Sequence, residues 1–405
     1  MCRIILKAMR YLKLYLLVFS FSLISCQSQQ ATLLNSDIVL DFDSSLEMKR
    51  EYFSSYFDGG GIIALESTPN ALLGRIEKLC VSQEYFFILD NSGVFVFRKD
   101  GKFLRSISRC GNGPGEYNRL SDISVDDKNK EVYLLDPVKR NVLVYNFDNI
   151  HQRTIPLPNK GFCSRLAYYD GSLYFSLIGS RGLDKNWLLC KMELNNNNKV
   201  TYHLEADEYN KGWYGLYYAD QPTFMPSSSG SPLLFQIFND GIIKIDTDSP
   251  KPYVSILSKF LPTESFVAEL NTDNFNDKIS NSDYIYSIFD FVENNRFLSF
   301  SFHQKNTTKT FFYNKETTDS YIAKSFFNDV LYTDDEASYI ISKFDAADKE
   351  RVYCIDGKSM YAKELLQENL ERGKINQSMV GIENLKDFLA DEEANPIIVY
   401  YNLRK

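Results

Sequence analysis

EYFFILDN (84–91) followed by SGVFVFRKDGKFLRSIS (92–108) is the stretch that decides the fold. A short apolar strand is followed by a turn, a second strand, an Asp-Gly hairpin signal at Lys99-Asp100-Gly101, and a third strand. Tyr85, Phe87 and Leu89 point to one side of the first strand, Phe86 and Ile88 to the other. A strand apolar on both faces is buried on both faces.

The same unit recurs. KEVYLLDP (130–137) precedes NVLVYNFDNIHQRTIPLP (141–158), and GSLYFSLI (171–178) precedes WLLCKMELNNNNKVTYHL (187–204). SPLLFQIF (231–238) precedes GIIKIDTDSPKPYVSIL (241–257), and NRFLSFSF (295–302) precedes TKTFFYNKETTDSYIAKS (308–325). A sixth, irregular copy joins ASYIISKF (337–344) to RVYCIDG (351–357). The repeats step by about 40–46 residues early in the chain and about 60 later, which is the period of β-propeller blades with insertions on one rim. Thirty Phe and 27 Tyr supply rings to fill the gaps between blades. The expected fold is therefore all-β, a six-bladed β-propeller over 37–405. A short helical insertion is expected near the C-terminus, at about 361–390. There, Leu365, Leu366 and Leu370 suit one helix face and Gly373 a helix stop. GGIIALES (60–67) and NPIIVYYNLRK (395–405) are strand-like ends that would share a blade and close the ring.

Residues 1–25 read as an export signal. Arg3, Lys7, Arg10 and Lys13 precede the run LYLLVFSFSLI (14–24), which falls short of the roughly 20 residues a membrane span needs. The run ends in Leu23-Ile24-Ser25-Cys26, which resembles the lipobox of bacterial lipoproteins. That resemblance implies cleavage before Cys26, a lipid on Cys26, and a polar tether over 26–36. No acidic cluster follows Cys26; in the lipoproteins that this N-terminus resembles, such a stretch accompanies surface display, so the resemblance implies the periplasmic face of the outer membrane over the cell surface.

The chain has 45 Lys and Arg against 53 Asp and Glu. Without the four basic residues of the signal, the mature chain has net charge −12. That excludes nucleic acid as an expected partner and argues against adhesion to anionic lipid beyond the anchor. Five cysteines follow Cys26, an odd number without a C-x-x-C, so buried thiols are expected rather than a disulfide framework or zinc ribbon.

The segment VFVFRKDGKFLRSISRCGNGPGEYNRLSDISVDDKNKEVYLLD, within 92–136, resembles the six-bladed β-propeller lipoproteins of Bacteroidetes, a fold similar to NHL-type propellers. IIALES and LLGRIEKL (within 62–79) and NPIIVYYNL (395–403) extend the resemblance over nearly the whole mature chain. It implies an exported lipoprotein and no particular activity.

Gly111, Gly113, Pro114 and Gly115 are expected to build a tight inter-blade connection, since no Gly-Lys-Ser/Thr or helix follows to make a phosphate cradle. Glu116 and Tyr117 beside them are candidates to face a ligand. So are Trp213, Tyr214, Tyr217 and Tyr218 in GWYGLYYAD (212–220), an aromatic platform suited to a sugar ring or a peptide side chain. Three dispersed histidines (His151, His203, His303) give no metal motif. Asp122, Asp126, Asp136, Asp240 and Asp246 are expected to satisfy turn amides, and calcium is the one metal left open for them. No catalytic residue and no cofactor is expected. The expected function is a non-catalytic binding or scaffold lipoprotein of the envelope, holding a glycan, a peptide or an envelope protein. The alternative is a metal-dependent hydrolase or lyase with its groups converging in the central channel.

Overall fold

A computed structural model describes residues 36–405 apart from 49, 108, 179–181, 214–223, 226, 228–229, 335–343, 358 and 392. Its strands form six antiparallel four-stranded blades around a channel. Blade 1 contains Ile76–Val81, Tyr85–Asp90, Val94–Arg98 and Phe103–Ile107, from the channel outward. Blade 2 contains Asp122–Asp126, Glu131–Asp136, Asn141–Asn146 and His151–Pro156. Blade 3 spans Cys163–Tyr169, Ser172–Leu177, Trp187–Glu193 and Lys199–Glu205. Blade 4 begins with Phe224–Met225 and ends with Lys251–Leu257, and blade 5 begins with Ile285–Glu293 and ends with Ser320–Ala323.

Blade 6 takes strands from both ends of the chain. Ala346–Ala347 and Arg351–Asp356 are followed by Ile397–Leu403, and Phe57–Ala64 pairs outside that strand, with Ile398 opposite Ile63 and Val399 opposite Ile62. The seam is tight. A Cβ on Gly60 would lie 2.1 Å from the Tyr400 carbonyl oxygen, so only glycine lets the two backbones close the ring. Closure removes the unpaired edges that an open array would expose.

The faces of the blades pack as the alternation in YFFIL requires. Phe87 and Leu89 join the core shared with Ile123, Val132 and Leu134 of blade 2. Phe86 and Ile88 join the core shared with Tyr353 and Ile398 of blade 6. Each seam has an apolar core of this kind, and middle strands are covered twice.

Two features go beyond the sequence reading. The repeat quoted from the sequence begins at the second strand of each blade. The innermost strands, such as IEKLCV (76–81) and DISVD (122–126), are mixed in polarity because one edge lines the channel. The segment after Ser36 also works as a strap. Ile38–Asp41 adds in parallel to the outer strand of blade 4, and Leu46–Met48 adds in parallel to that of blade 5, before the chain reaches blade 6.

Helices Met360–Glu371 and Ile382–Ala390 form the C-terminal insertion, with Leu366 buried in the core of blades 5 and 6. Two short helices that the sequence reading did not place, Glu264–Ala268 and Phe275–Ser280, lie between blades 4 and 5. ASYIISKF lies mostly outside the described residues; its last residue, Phe344, is buried.

Candidate functional site

The innermost strands of neighbouring blades are tied by side chains across the channel wall, and Asp122 is the centre of that network. Its Oδ1 receives the Lys78 Nζ of blade 1 at 2.7 Å and the Ile123 amide at 2.8 Å. Its Oδ2 receives the Leu166 amide of blade 3 at 2.7 Å. One buried carboxylate thus joins three blades. Arg165 of blade 3 donates to the Ser121 carbonyl at 2.9 Å, and the Ser124 hydroxyl accepts the Tyr168 amide at 2.9 Å. Burial works against the charge on Lys78, but Asp122 outweighs it and the net shift of its pKa is upward. Burial pushes the neighbouring Cys80 thiol up to about 11, with Lys78 acting in the other direction.

These groups wall a cavity of about 480 Å³ in the channel. Blades 1 to 3 contribute Lys78, Asp122, Ser124, Arg165 and Tyr168, and blades 4 and 6 contribute Phe224, Met225, Ser231, Phe344 and Asp348. Polar and apolar side chains interleave around it: Leu79, Val81 and Leu166 stand beside the charged groups of blades 1 to 3, and Asp345, Asp348 and Lys349 beside Phe224, Met225 and Phe344. Its volume suits a small molecule or one or two residues of a peptide. A second cavity of about 340 Å³ lies between blades 5 and 6. Its wall holds the Ser299, Ser301 and Thr310 hydroxyls and Asp290, whose φ of 52° is left-handed and whose carboxylate accepts the Phe344 amide at 3.0 Å.

The sequence-derived candidates are placed differently. Trp213 is not a ligand platform: it is 3% exposed and packs against Phe238 and Phe275, where its large apolar surface fills the core under the insertion between blades 4 and 5. Tyr214, Tyr217 and Tyr218 lie outside the described residues. Tyr117 is buried, and its hydroxyl donates to the Ser92 carbonyl at 2.9 Å, so it anchors the loop to blade 1 instead of facing a ligand. Glu116 turns back on its own loop and accepts the Gly113 amide at 2.7 Å.

The glycine loop itself is held from outside. The Tyr145 hydroxyl donates to the Gly115 carbonyl, and Lys139 Nζ donates to the carbonyls of Gly111 and Glu116. Gly115 has a φ of 77°, and a Cβ there would meet the His151 ring at 2.9 Å. Among the aspartates, Asp126 and Asp136 accept pairs of turn amides. Among the described residues no three His, Cys, Asp or Glu side chains converge as metal ligands. The five cysteines after Cys26 are free thiols.

In the sequence Asp122 reads as a turn residue, and Lys78 and Arg165 belong to no motif. The signal they leave is the mixed polarity of the strands that carry them.

The blades, the seam and the walled channel define a six-bladed β-propeller. The chain belongs to the family described as a domain of unknown function (DUF4934), whose profile matches residues 37–402. A Bacteroides fragilis protein described as a putative exported protein has a similar structure, with a TM-score of 0.66 at 18% identity, covering 91% of this chain and 100% of that one. A member of the DUF4221 family from Bacteroides vulgatus matches with a TM-score of 0.46 at 10% identity, over 86% of this chain and 97% of its own. A virginiamycin B lyase from Staphylococcus aureus matches with a TM-score of 0.37 at 12% identity, over 65% and 73%. No curated protein matches the chain. Likeness at these identities concerns the fold, and activity is argued from the site.

Proposed function

We propose that this protein is an exported, lipid-anchored binding or scaffold protein of the cell envelope, whose channel holds a glycan, a peptide or a segment of an envelope protein. The observation that carries the reading is the cavity of about 480 Å³ whose polar wall is fixed before any ligand arrives. Lys78, Asp122 and Arg165 are held by bonds between blades, so a ligand meets oriented groups and little ordering cost remains. The mixed lining suits a ligand that carries both polar and apolar groups. Export is supported by the signal-like N-terminus and by likeness to the Bacteroides protein described as exported. The Cys26 lipid and the periplasmic face of the outer membrane rest on the lipobox and on the residues after it.

The test is thermal unfolding of residues 27–405, which contain every described strand, with panels of glycans, peptides and metals. A ligand at 100 times its Kd stabilises by about 2.7 kcal/mol. A shift that survives EDTA and is lost in Arg165→Ala supports the channel as a binding site. A shift produced only by Ca²⁺ or Zn²⁺ and reversed by EDTA would replace this reading with a metal-dependent enzyme. Anchoring is tested separately. Cys26→Ala should move the full chain from the membrane fraction to the soluble fraction, and protease treatment of intact cells should leave the wild type uncut.

A further inference from the structure

The net negative charge of the chain conceals a cationic patch. Each blade reverses direction at every turn, so its second hairpin and the connection to the next blade emerge at the same end of the ring. At that end, the segments 109–121, 137–140 and 157–162, which join blades 1, 2 and 3, carry five Lys or Arg and one acid, Glu116, and the blade 3 hairpin beside them adds Asp184 and Lys185. At the opposite end, the hairpins 82–84, 99–102, 127–130, 147–150 and 170–171 of the same blades carry four Lys and five acids.

The three cationic segments form one surface. Lys139 of the middle hairpin donates to the Gly111 and Glu116 carbonyls, and Arg140 donates to the Pro158 carbonyl. Carbonyls fix these cations without neutralising them. Among the described residues, Arg109, Arg119, Lys139, Arg140 and Lys160 make no ion pair with a carboxylate. Between the cations, two apolar side chains face solvent: Val138 at the hairpin tip, 61% exposed, and Phe162, 40% exposed.

We infer that this end of blades 1 to 3 is a docking surface for anionic lipid headgroups of the membrane that holds the anchor. The inference rests on the lipid-anchored reading. Cations interleaved with exposed apolar tips fit the headgroup zone, where the charges meet phosphates and the tips enter the acyl boundary. Ten peptide steps lead from Cys26 to Ser36, a reach of at most about 35 Å. Ile38–Asp41 runs parallel to the outer strand of blade 4 and so enters from the opposite end of the ring, and that reach covers the roughly 20 Å height of a blade. Acids on the far end do not cancel the patch, because screening acts over about 8–10 Å.

The experiment is co-sedimentation of unlipidated residues 27–405 with vesicles of phosphatidylcholine alone or in equal parts with phosphatidylglycerol. Selective binding to the anionic vesicles, weakened by salt, is expected. Arg119→Glu with Lys160→Glu should lower the partition coefficient by at least about tenfold. Val138→Ser with Phe162→Ser should lower it too, while Lys102→Glu with Lys128→Glu, at the opposite end, should not. Thermal melts of each variant show whether it is folded, and the salt dependence of the wild type does not rely on any variant. Equal binding to neutral vesicles, or binding indifferent to Arg119→Glu with Lys160→Glu, overturns the inference. Binding to soluble polyglutamate with none to vesicles overturns it in favour of an acidic protein partner. The protein used here carries no acyl group, so failure of the Cys26 anchor appears only in the fractionation experiment and is read independently.

Discussion

Lys78 of blade 1 reaches across the channel wall to Asp122 of blade 2 at 2.7 Å, and the same carboxylate takes the Leu166 amide of blade 3. The ion pair is part of the ring's construction and part of the cavity wall. Removing Asp122 strands the Lys78 ammonium and takes the acceptor from the buried Leu166 amide, which costs more than the pair itself contributes. Asp122→Ala should therefore destabilise the fold by about 3 kcal/mol, and Lys78→Met by less, because the Lys78 side chain is 28% exposed and Asp122 keeps its amide donors. Urea unfolding of both variants measures the difference.

The seam makes a sharper demand on backbone shape. Gly60→Ala should cost several kcal/mol, about 2–4, because its Cβ would collide with the Tyr400 carbonyl. Gly373→Ala, with open space around its Cβ, should cost less despite its positive φ. The midpoints of thermal unfolding should rank in that order.

Trp213 offers a direct test of core against surface. Packed with Phe238 and Phe275, it should cost about 3–5 kcal/mol when changed to alanine. A stability loss under 1 kcal/mol together with lost ligand binding would restore the ligand-platform reading.

Lys99 lies over the rings of Phe86 and Tyr353, and burial brings its pKa down to about 8. A lysine with a depressed folded pKa is deprotonated first in the native state. Between about pH 8 and the unfolded value near 10.4 the unfolded chain binds more protons, so this group makes stability rise with pH. Lys99→Met should abolish that rise. The quantity to measure is the wild-type minus variant difference in urea midpoint, which should grow from pH 8 to pH 10 and stay flat below pH 7.

Thiol accessibility reports the blade packing. Cys110 is exposed, while Cys163, Cys190 and Cys354 are buried within blades. Burial pushes the Cys163 thiol up to about 12 and that of Cys190 further still. A maleimide at neutral pH should label Cys110 of residues 27–405 rapidly and leave the three buried thiols until the protein unfolds.

The number of blades, the closing pairing of 60–67 with 395–405 and the late helical insertion were legible because each depends on local pattern. Doubly apolar strands such as YFFIL recur, and glycine, proline and turn residues separate them. The channel site was not legible. Lys78, Asp122 and Arg165 lie on three different blades, and their meeting depends on how the ring curves. Trp213 misled for a related reason: glycines around an aromatic cluster indicate an irregular backbone, but not whether neighbouring helices cover it.

What the sequence determined by itself is the repeat, because burial on two faces constrains each residue of a strand independently. The tertiary structure alone decided which side chains converge. Asp122 is bonded to three blades, and five cations spread over residues 109–160 gather at one end of an acidic protein. Hydrogen bonds and charges act over a few ångströms in space, and the ring sets those distances between residues roughly forty apart in the chain.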